Sequence, residues 1–562
     1  MSTNQRTDTI YGVNPKTGER LDPGFPAADA ARVDALVADA VASFARYRAT
    51  SGPDRAAFLR AIASQIEALG DELITVCDAE TALGPVRIAS ERGRTVNQLR
   101  MFADLVEEGS WVDARIDTAM PDRSPLPKPD IRRMLAPIGP VVVFGASNFP
   151  LAFSVAGGDT ASALAAGNPV IVKAHGSHPG TSALVGKAVS AAAQQCGLPT
   201  GVFAVVHGPG SVVGSALVKH PGIRAVGFTG SRGGGRALMD LAAARETPIP
   251  VYAEMGSINP LIVLPHAIAH RGTAIAEGLA GSVCLGVGQF CTNPGLILVV
   301  EPAGGDAGAV GGANAGGDAG AGAGATAAFV SRLAATMEAQ GPGVMLNRSI
   351  ASTYCGMVAR FASAHGVVTH TGAGSQEAGG GASSQPDDTG TTQAAEAGPD
   401  GHATVPPALF SVSADVFVQS PLLAEEVFGP ATLVVRCADA TDVTRCLSVI
   451  GGNLTATLHG DDEDFAGYAD LVRVVEQTVG RVIFNGFPTG VEVCPSMTHG
   501  GPYPASASEF HTSVGTGAIL RFARPVSYQN CPQSLLPAEL QNANPRGIMR
   551  IVNGAYTRDP VV

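Results

Sequence analysis

Between about residues 138 and 255, five short runs rich in β-branched residues alternate with stretches rich in alanine and glycine. The runs are PVVVFGA, PVIVKA, VFAVVHG, IRAVGFTG and IPVYAEM. Because strands that alternate with helices pair in parallel and carry helices on both faces, this pattern predicts an α/β, doubly wound sheet. Ligands of such sheets bind at the carboxyl ends of the strands, so the residues that end each run become candidates for function.

The sequence on either side of this region predicts further structure. Apolar residues recur at three- and four-residue spacing within residues 28–113, which indicates helices. After residue 256, a helix near ATMEAQG and strand-like VFVQS and TLVVRC predict a second α/β domain that runs to about residue 483. Two stretches of low complexity, residues 302–327 and 371–401, are expected to be flexible surface insertions without function, because they contain too few apolar residues to pack.

Composition excludes several classes of protein. The 562-residue chain carries a formal charge of -12 and has no basic patch for a nucleic acid. The first 20 residues are polar and the apolar runs fall short of the roughly 20 residues that cross a bilayer, so we expect a cytoplasmic protein that is not bound to a membrane. The nine cysteines include no pair at two-residue spacing, which predicts reduced thiols and no metal site.

One cysteine stands out from the other eight. Cys291 lies in GVGQFCTNPG, a loop-like segment with polar neighbours, where a thiol is accessible to a ligand. Cys284, seven residues earlier, lies in an Ala- and Gly-rich run typical of a packed helix. A small buried apolar residue is the alternative interpretation of any cysteine, and Cys284 fits it better than Cys291 does.

Three polar residues end or follow predicted strands and could meet at one edge of the sheet. They are Asn148 in GASNFP, Lys173 in VIVKAHG and Glu254 in VYAEMGS. A carboxylate that closes an apolar strand is expected to lose water and to have a raised pKa, which suits a general base. The alternative for Glu254 is a carboxylate that caps a helix or forms an ion pair.

A glycine-rich turn, GSRGGG at residues 230–235, follows the fourth run and precedes a helix. Glycines let the backbone approach a phosphate, and a helix N-terminus favours an anion. The glycine spacing differs from that of the common dinucleotide fingerprint, so a plain tight turn is an equal alternative.

Six segments in this order resemble the signature segments of the aldehyde dehydrogenase superfamily: NFP, GNPVIVKA, GFTGS, EMGSINP, GQFCTNPG and EEVFGP. The resemblance implies an enzyme with a Rossmann-type cofactor domain, a second α/β catalytic domain and a small oligomerisation arm. It also implies NAD(P)-dependent oxidation of a small-molecule aldehyde to a carboxylic acid.

The same resemblance implies roles for three of the singled-out residues. Cys291 is the expected nucleophile, and the side-chain amide of Asn148 is expected to hold the oxyanion together with the Cys291 backbone N–H. Glu254 is expected to activate water for hydrolysis of the thioester, and as a second task to take the cysteine proton.

Six further residues are implied to bind the cofactor: Lys173, Gly230, Ser231, Gly235, Glu426 and Phe428. Lys173 would contact the adenosine ribose, the glycine-rich turn the pyrophosphate, and Glu426 the nicotinamide ribose. A surface carboxylate is the alternative for Glu426. Gly176 stands where members that prefer NAD often carry a glutamate, so we expect NADP as the cofactor, with NAD as the alternative.

The resemblance also sets domain boundaries. Residues 1–117 and 138–255 would form the cofactor-binding domain and residues 256–483 the catalytic domain. Residues 118–137 and 500–525 would form the oligomerisation arm of a homodimer or homotetramer, followed by a tail at 526–562.

Longer segments, including FNGFPTGVEVCPSMTHGGPYPAS, resemble the branch that contains 2,5-dioxovalerate (α-ketoglutaric semialdehyde) dehydrogenases. That branch implies oxidation of the semialdehyde to 2-oxoglutarate, and a broad-specificity or long-chain fatty aldehyde dehydrogenase is the alternative. A catalytically silent structural protein is disfavoured because both Cys291 and Glu254 are present. A carboxylated substrate needs a partner such as Arg94 or Arg100, for which a solvated helix arginine is the alternative.

Overall fold

A computed structural model describes residues 9–301, 320–372 and 403–561 of the chain. An antiparallel hairpin opens it, with strands Thr9–Val13 and Arg20–Pro26. Four helices follow, which confirms the predicted helical region: Ala30–Arg48, Gly52–Ala68, Gly70–Thr81 and Pro85–Glu108. Side-chain caps start the first two helices, because Asp29 accepts from the Arg32 N–H and Ser51 forms a capping box with Asp54.

The first large sheet has five strands, and every pair in it is parallel. In spatial order the strands are Phe203–Val206, Val170–Lys173, Val141–Phe144, Ala225–Thr229 and Val251–Glu254. The helices that connect them are Gly158–Ala166, Pro179–Gln195, Ser215–Lys219 and Arg232–Ala243. The predicted doubly wound sheet is therefore confirmed. Its order changes direction beside Val141–Phe144, which is the strand that leads to Asn148.

The second large sheet has seven strands. In spatial order they are Val368–Thr371, Ala408–Ser413, Ala431–Cys437, Leu296–Val300, Pro260–Val263, Asn453–His459 and Val479–Phe484. Only the first of these pairs antiparallel to its neighbour. Its principal helices are Pro265–Cys284, Gly320–Gln340, Arg348–Ala362, Ala414–Gln419, Ala440–Ile450, Asp462–Gly467 and Ala469–Glu476. A short strand pair, Gly343–Val344 with Thr404–Val405, lies beside it.

Two local expectations in this region are wrong. VFVQS belongs to the helix Ala414–Gln419, where Ala414 and Phe417, three positions apart, are both buried. The insertion expected at 302–327 lies outside the described residues up to position 319, but residues 320–327 begin the helix Gly320–Gln340. The second expected insertion, 371–401, lies outside the described residues from position 373, and Thr371 ends a strand.

A smaller sheet combines early and late parts of the chain. Its five strands are Ala523–Gln529, Ile131–Pro137, Arg115–Asp117, Arg550–Val552 and Ala555–Thr557. The expected tail at 526–562 thus contributes the strands Arg550–Val552 and Ala555–Thr557 and most of Ala523–Gln529 to this sheet. Most of the expected arm segment 500–525 comes before these strands in the chain. Its role in oligomerisation stays a prediction.

Within the described parts of the chain, no helix combines the length and the apolar character needed to cross a bilayer.

Candidate active site

Cys291 lies in a tight turn between a helix of the second domain and a strand of its sheet. The helix Pro265–Cys284 leads into a short 3₁₀ segment, Leu285–Gly288, and the strand Leu296–Val300 follows the turn. Gly288 has a φ of 65°, and a Cβ there would overlap the backbone of Gly429. The glycine therefore permits the chain crossing that brings the cysteine to the sheet edge.

Cys291 and Glu254 both contact a residue that sequence reasoning missed, His499. Nε2 of His499 lies 3.4 Å from the Cys291 Sγ and 2.9 Å from Oε1 of Glu254. His499 is completely buried, and its backbone N–H donates to the Thr512 hydroxyl. The hydroxyl of Ser513 donates to Oε2 of Glu254, so both carboxylate oxygens have a neighbour.

The pKa values of Cys291 and Glu254 shift in opposite directions. Burial raises the pKa of the Cys291 thiol well above its usual range, the Glu254 charge adds to the effect, and Arg94 opposes it. Burial also acts to raise the pKa of Glu254, but the contacts with His499 and Ser513 outweigh it and leave that pKa below its ordinary value. The expectation of a raised Glu254 pKa is therefore wrong, because the contacts with His499 and Ser513 together outweigh desolvation.

This arrangement predicts how the Cys291 thiol reacts with iodoacetamide. Only the thiolate alkylates, so the rate at Cys291 should rise with pH up to its raised pKa. Glu254→Gln removes a negative charge beside the thiol, so alkylation at neutral pH should become severalfold faster. Peptide mapping by mass spectrometry measures the rate, with exposed Cys355 as the internal reference. An unchanged Cys291 rate would show that the Glu254 charge does not act on the thiol.

The same three residues also offer one possible metal ligand each, all within 4.8 Å of one another. The 2.9 Å between Glu254 and His499, however, is the spacing of a direct polar contact. The contact between these two side chains is therefore explained without an ion.

Asn148 lies beside the turn that carries the cysteine. It follows the strand Val141–Phe144 and is buried, and its side-chain amide donates to the Gln289 carbonyl at 3.1 Å. The backbone carbonyl of Asn148 accepts a hydrogen bond from Nη2 of Arg87 at 2.7 Å. Among the described residues, the Cys291 N–H donates to no backbone carbonyl. An amide side chain and a backbone N–H are thus available near the thiol.

Lys173 ends the strand Val170–Lys173 and is buried, which lowers its pKa to about 8. No carboxylate of the described residues lies within 4 Å of its ammonium group. Gly176, three residues later, is exposed, and a Cβ there would meet no atom within 4 Å. This end of the sheet offers a cation and open space, which fits an anionic or hydroxyl-rich ligand.

The residues of the glycine-rich turn have two structural roles, one at the start of the helix and one in its packing. Ser231 is the N-cap of the helix Arg232–Ala243, and its hydroxyl accepts from the Gly234 N–H at 3.2 Å. The Gly230 N–H donates to the Glu254 carbonyl at 3.0 Å, which ties the turn to the strand that ends at the base. Gly235 is buried, and a Cβ there would lie 2.6 Å from the Met255 sulfur. Gly235 is needed for helix packing, while the turn itself presents the helix N-terminus.

Glu426 and Phe428 approach the same region from the second domain. Glu426 packs against the backbone of Gly256, where any Cβ would overlap its carboxylate. Burial raises the pKa of Glu426 to about 7. Phe428 and Glu426 line a pocket together with Phe290, the residue before Cys291. The structure therefore brings these two residues toward the cysteine turn.

The arginines of the helix Pro85–Glu108 differ in their surroundings. Arg100 is exposed and forms an ion pair with Glu67 at 2.7 Å, and Arg92 donates to the Gly70 carbonyl. Arg94 instead packs against the rings of Phe149 and Phe153, and its charge opposes the rise in the Cys291 pKa. The ion pair with Glu67 disfavours Arg100 as the partner of a substrate carboxylate, and that role stays a prediction.

Comparison with known proteins places the chain among dehydrogenases. The aldehyde dehydrogenase family model matches residues 2–305. Alpha-ketoglutaric semialdehyde dehydrogenase 2 of Azospirillum brasilense is 48% identical over 97% of this chain and 96% of its own length. Alpha-ketoglutaric semialdehyde dehydrogenase of Acinetobacter baylyi is 41% identical over 98% of this chain and 96% of its own.

Solved structures agree on the fold. A 3,6-anhydro-L-galactose dehydrogenase superposes with a TM-score of 0.73 at 20% identity, covering 94% of this chain and 97% of the other. PnpE in complex with nicotinamide adenine dinucleotide gives a TM-score of 0.70 at 20% identity, covering 93% and 94%. These matches confirm the expected α/β fold class.

Proposed function

The chain belongs to the aldehyde dehydrogenase family, and from that premise we propose that it oxidises α-ketoglutaric semialdehyde (2,5-dioxopentanoate) to 2-oxoglutarate with NADP⁺ as the preferred oxidant. The observation that carries the chemistry is the buried contact of Cys291 and Glu254 with His499. The substrate is supported by two relatives named for this semialdehyde, which align with nearly the whole chain.

The residues of the cluster divide the proposed work between them. Cys291 attacks the aldehyde carbon, and Glu254 takes the proton that the thiol must lose, since the raised pKa of Cys291 keeps the resting group protonated. His499 contacts both groups and positions the carboxylate toward the sulfur. The Asn148 amide and the Cys291 N–H stabilise the oxyanion that forms.

Bound NAD(P)⁺ supplies the hydride acceptor that turns the Cys291 thiohemiacetal into a thioester. Glu254 first releases the thiol proton to solvent, which its lowered pKa favours at neutral pH. The carboxylate then takes a proton from the water that attacks the thioester. Cys291 leaves as the thiolate, and 2-oxoglutarate is released.

The residues present fit a nicotinamide dinucleotide. Lys173 is a buried cation at a strand end without a carboxylate partner, and Gly176 beside it leaves open space. The helix that begins after Ser231 presents free backbone N–H groups, which suit a pyrophosphate. Glu426 and Phe428 line the pocket next to Cys291, where a ribose and a ring would lie.

We expect Gly176→Glu to shift the cofactor preference toward NAD⁺. The new side chain has room, and its carboxylate would repel a 2′-phosphate held near Lys173. The ratio of kcat/KM for NADP⁺ to that for NAD⁺ should fall about tenfold or more. Gly176→Gln is the matched control, because it adds the same bulk without the charge. An unchanged ratio in Gly176→Glu, or an equal shift in both variants, would place the phosphate elsewhere.

A broad-specificity or long-chain aldehyde dehydrogenase remains the second candidate. Phe149, Phe153 and Phe290 form an apolar wall next to the cysteine, with ring centroids 5.3 and 5.4 Å apart. Such a wall accepts an alkyl chain as readily as a keto acid. Reduced-cofactor absorbance with each aldehyde separates the two candidates.

A further inference from the structure

We propose that Arg94 is the specificity residue that binds the remote carboxylate of the aldehyde substrate, so that the site selects aldehydes with an acid at the far end. The inference rests on the proposed oxidation of a semialdehyde. It assigns that selection to one guanidinium in a cleft beside the nucleophile.

Arg94 lies between a surface cleft and the phenylalanine rings beside the cysteine turn. A cleft of about 460 Å³ runs between the helix Pro85–Glu108 and the segment 491–493, and Arg94 lines it with Gly93 and Asn97. Gly93, Asn97 and Glu492 are exposed, so the cleft reaches solvent. At its inner side, the guanidinium carbon of Arg94 lies 5.7 Å from the Phe149 ring centre and 5.3 Å from that of Phe153.

The guanidinium of Arg94 has one edge without a partner. Its Nε and Nη2 atoms are buried and donate to no acceptor among the described residues. These two N–H groups lie side by side on the planar group and match the two oxygens of a carboxylate. Unpaired buried N–H donors on a cation are costly, and an incoming carboxylate would satisfy both at once.

Nearby carboxylates do not fill this role. Glu91, one turn earlier, uses Oε1 to accept from the Leu151 and Ala152 N–H groups, both at 2.9 Å. Glu492 is exposed, and its Oε1 accepts from the adjacent Val493 N–H at 3.2 Å. Among the described residues, no carboxylate lies within 4 Å of the Arg94 guanidinium.

Arg87 and Arg481 each keep one buried N–H atom without a partner, but both use Nη2 to donate, so neither has a free Nε–Nη2 edge. Arg87 donates to the Asn148 carbonyl, and Arg481 donates to the carbonyls of Pro488 and Gly490. Arg100 is held by Glu67 at the surface of the same helix. Arg94 therefore combines nearness to the thiol with a free bidentate edge.

The test compares two aldehydes of equal chain length, 2,5-dioxopentanoate and pentanal. In Arg94→Met, the ratio of kcat/KM for the acid to that for pentanal should fall by at least about 30-fold, the cost of removing one partner of a buried charge pair. Arg94→Lys keeps the charge but loses the bidentate edge. Its kcat/KM ratio should lie between those of the parent and Arg94→Met. Arg100→Met is the matched control and should keep the parent ratio.

A binding measurement separates this inference from the proposed function. Isothermal titration with glutarate uses Cys291→Ala protein, in which no turnover occurs. Glutarate should bind this protein, and adding Arg94→Met should remove the binding while adding Arg100→Met should not.

Equal losses with both aldehydes, or glutarate binding that survives Arg94→Met, would overturn the assignment of Arg94. If the parent enzyme instead prefers pentanal while glutarate binding still depends on Arg94, the anion site stands and the proposed substrate fails. If Arg94→Met does not fold, as judged by its circular dichroism spectrum, the Arg94→Lys ratio decides.

Discussion

Replacing Cys291 with alanine is expected to abolish aldehyde oxidation while leaving the affinity for NADP⁺ nearly unchanged. The thiol is the proposed point of covalent attachment, and it contacts His499 beside Glu254. Loss of a nucleophile from a catalytic group that acts as a unit lowers kcat by about four orders of magnitude or more. Steady-state reduction of NADP⁺ and a fluorescence titration of cofactor binding measure the two quantities.

Cys284→Ala is the matched control for this experiment. Cys284 ends the helix Pro265–Cys284 and is half-buried seven residues before the nucleophile. Burial raises the pKa of its thiol to about 11, so it is a poor source of thiolate. The control should retain activity. Comparable turnover in Cys291→Ala and the parent would end the assignment.

Glu254→Gln is expected to slow hydrolysis of the thioester far more than it weakens substrate binding. The glutamine keeps the shape of the side chain near His499 and Ser513 but cannot accept a proton from water. Loss of a general base costs about 10²- to 10⁴-fold in kcat. Stopped-flow should show a burst of reduced cofactor, one per active site, followed by a slow steady state.

The size and rate of that burst carry information about the first step. Because Glu254 is also proposed to take the thiol proton, the burst itself should slow while its amplitude is kept. Glu277→Gln is the control, because Glu277 is an exposed carboxylate that pairs with Arg332 on the surface. Parent-like steady-state turnover in Glu254→Gln would refute its role as the base for hydrolysis.

The parallel sheet was accessible to sequence reasoning because its signal is local. Each strand of the sheet from Val141 to Glu254 is a short apolar run closed by a turn, and parallel pairing then brings the ends of these runs to one edge. Lys173 and Glu254 are the last residues of their strands and Asn148 follows its strand closely, so their placement followed from the topology.

His499 could not be found in this way because its partners are distant in sequence. It lies 208 positions after Cys291, in a segment without regular secondary structure, and only the packed chain brings it to the thiol. The segment CPSMTHGGPYPAS was a signal of resemblance, but nothing in its local pattern gave the histidine a partner. The missed contact between His499 and Glu254 also explains why sequence reasoning predicts the wrong direction for the Glu254 pKa.

The arginines of one helix show the same limit of local patterns. From the sequence alone, Arg94 and Arg100 cannot be told apart, because both are arginines on one predicted helix. Both are therefore candidates to bind a substrate carboxylate. The fold places Glu67 of the neighbouring helix against Arg100 and two phenylalanine rings against Arg94. Which arginine is free was decided by tertiary contacts alone.

The measurement that tests the central claim most directly is oxidation of 2,5-dioxopentanoate by the purified parent protein with NADP⁺. Reduced-cofactor absorbance gives kcat/KM, mass spectrometry identifies the product, and hexanal serves as the competing substrate. The account predicts that 2-oxoglutarate forms and that kcat/KM for the keto acid exceeds that for hexanal by about tenfold or more. A higher kcat/KM for hexanal, or no 2-oxoglutarate at all, would contradict it.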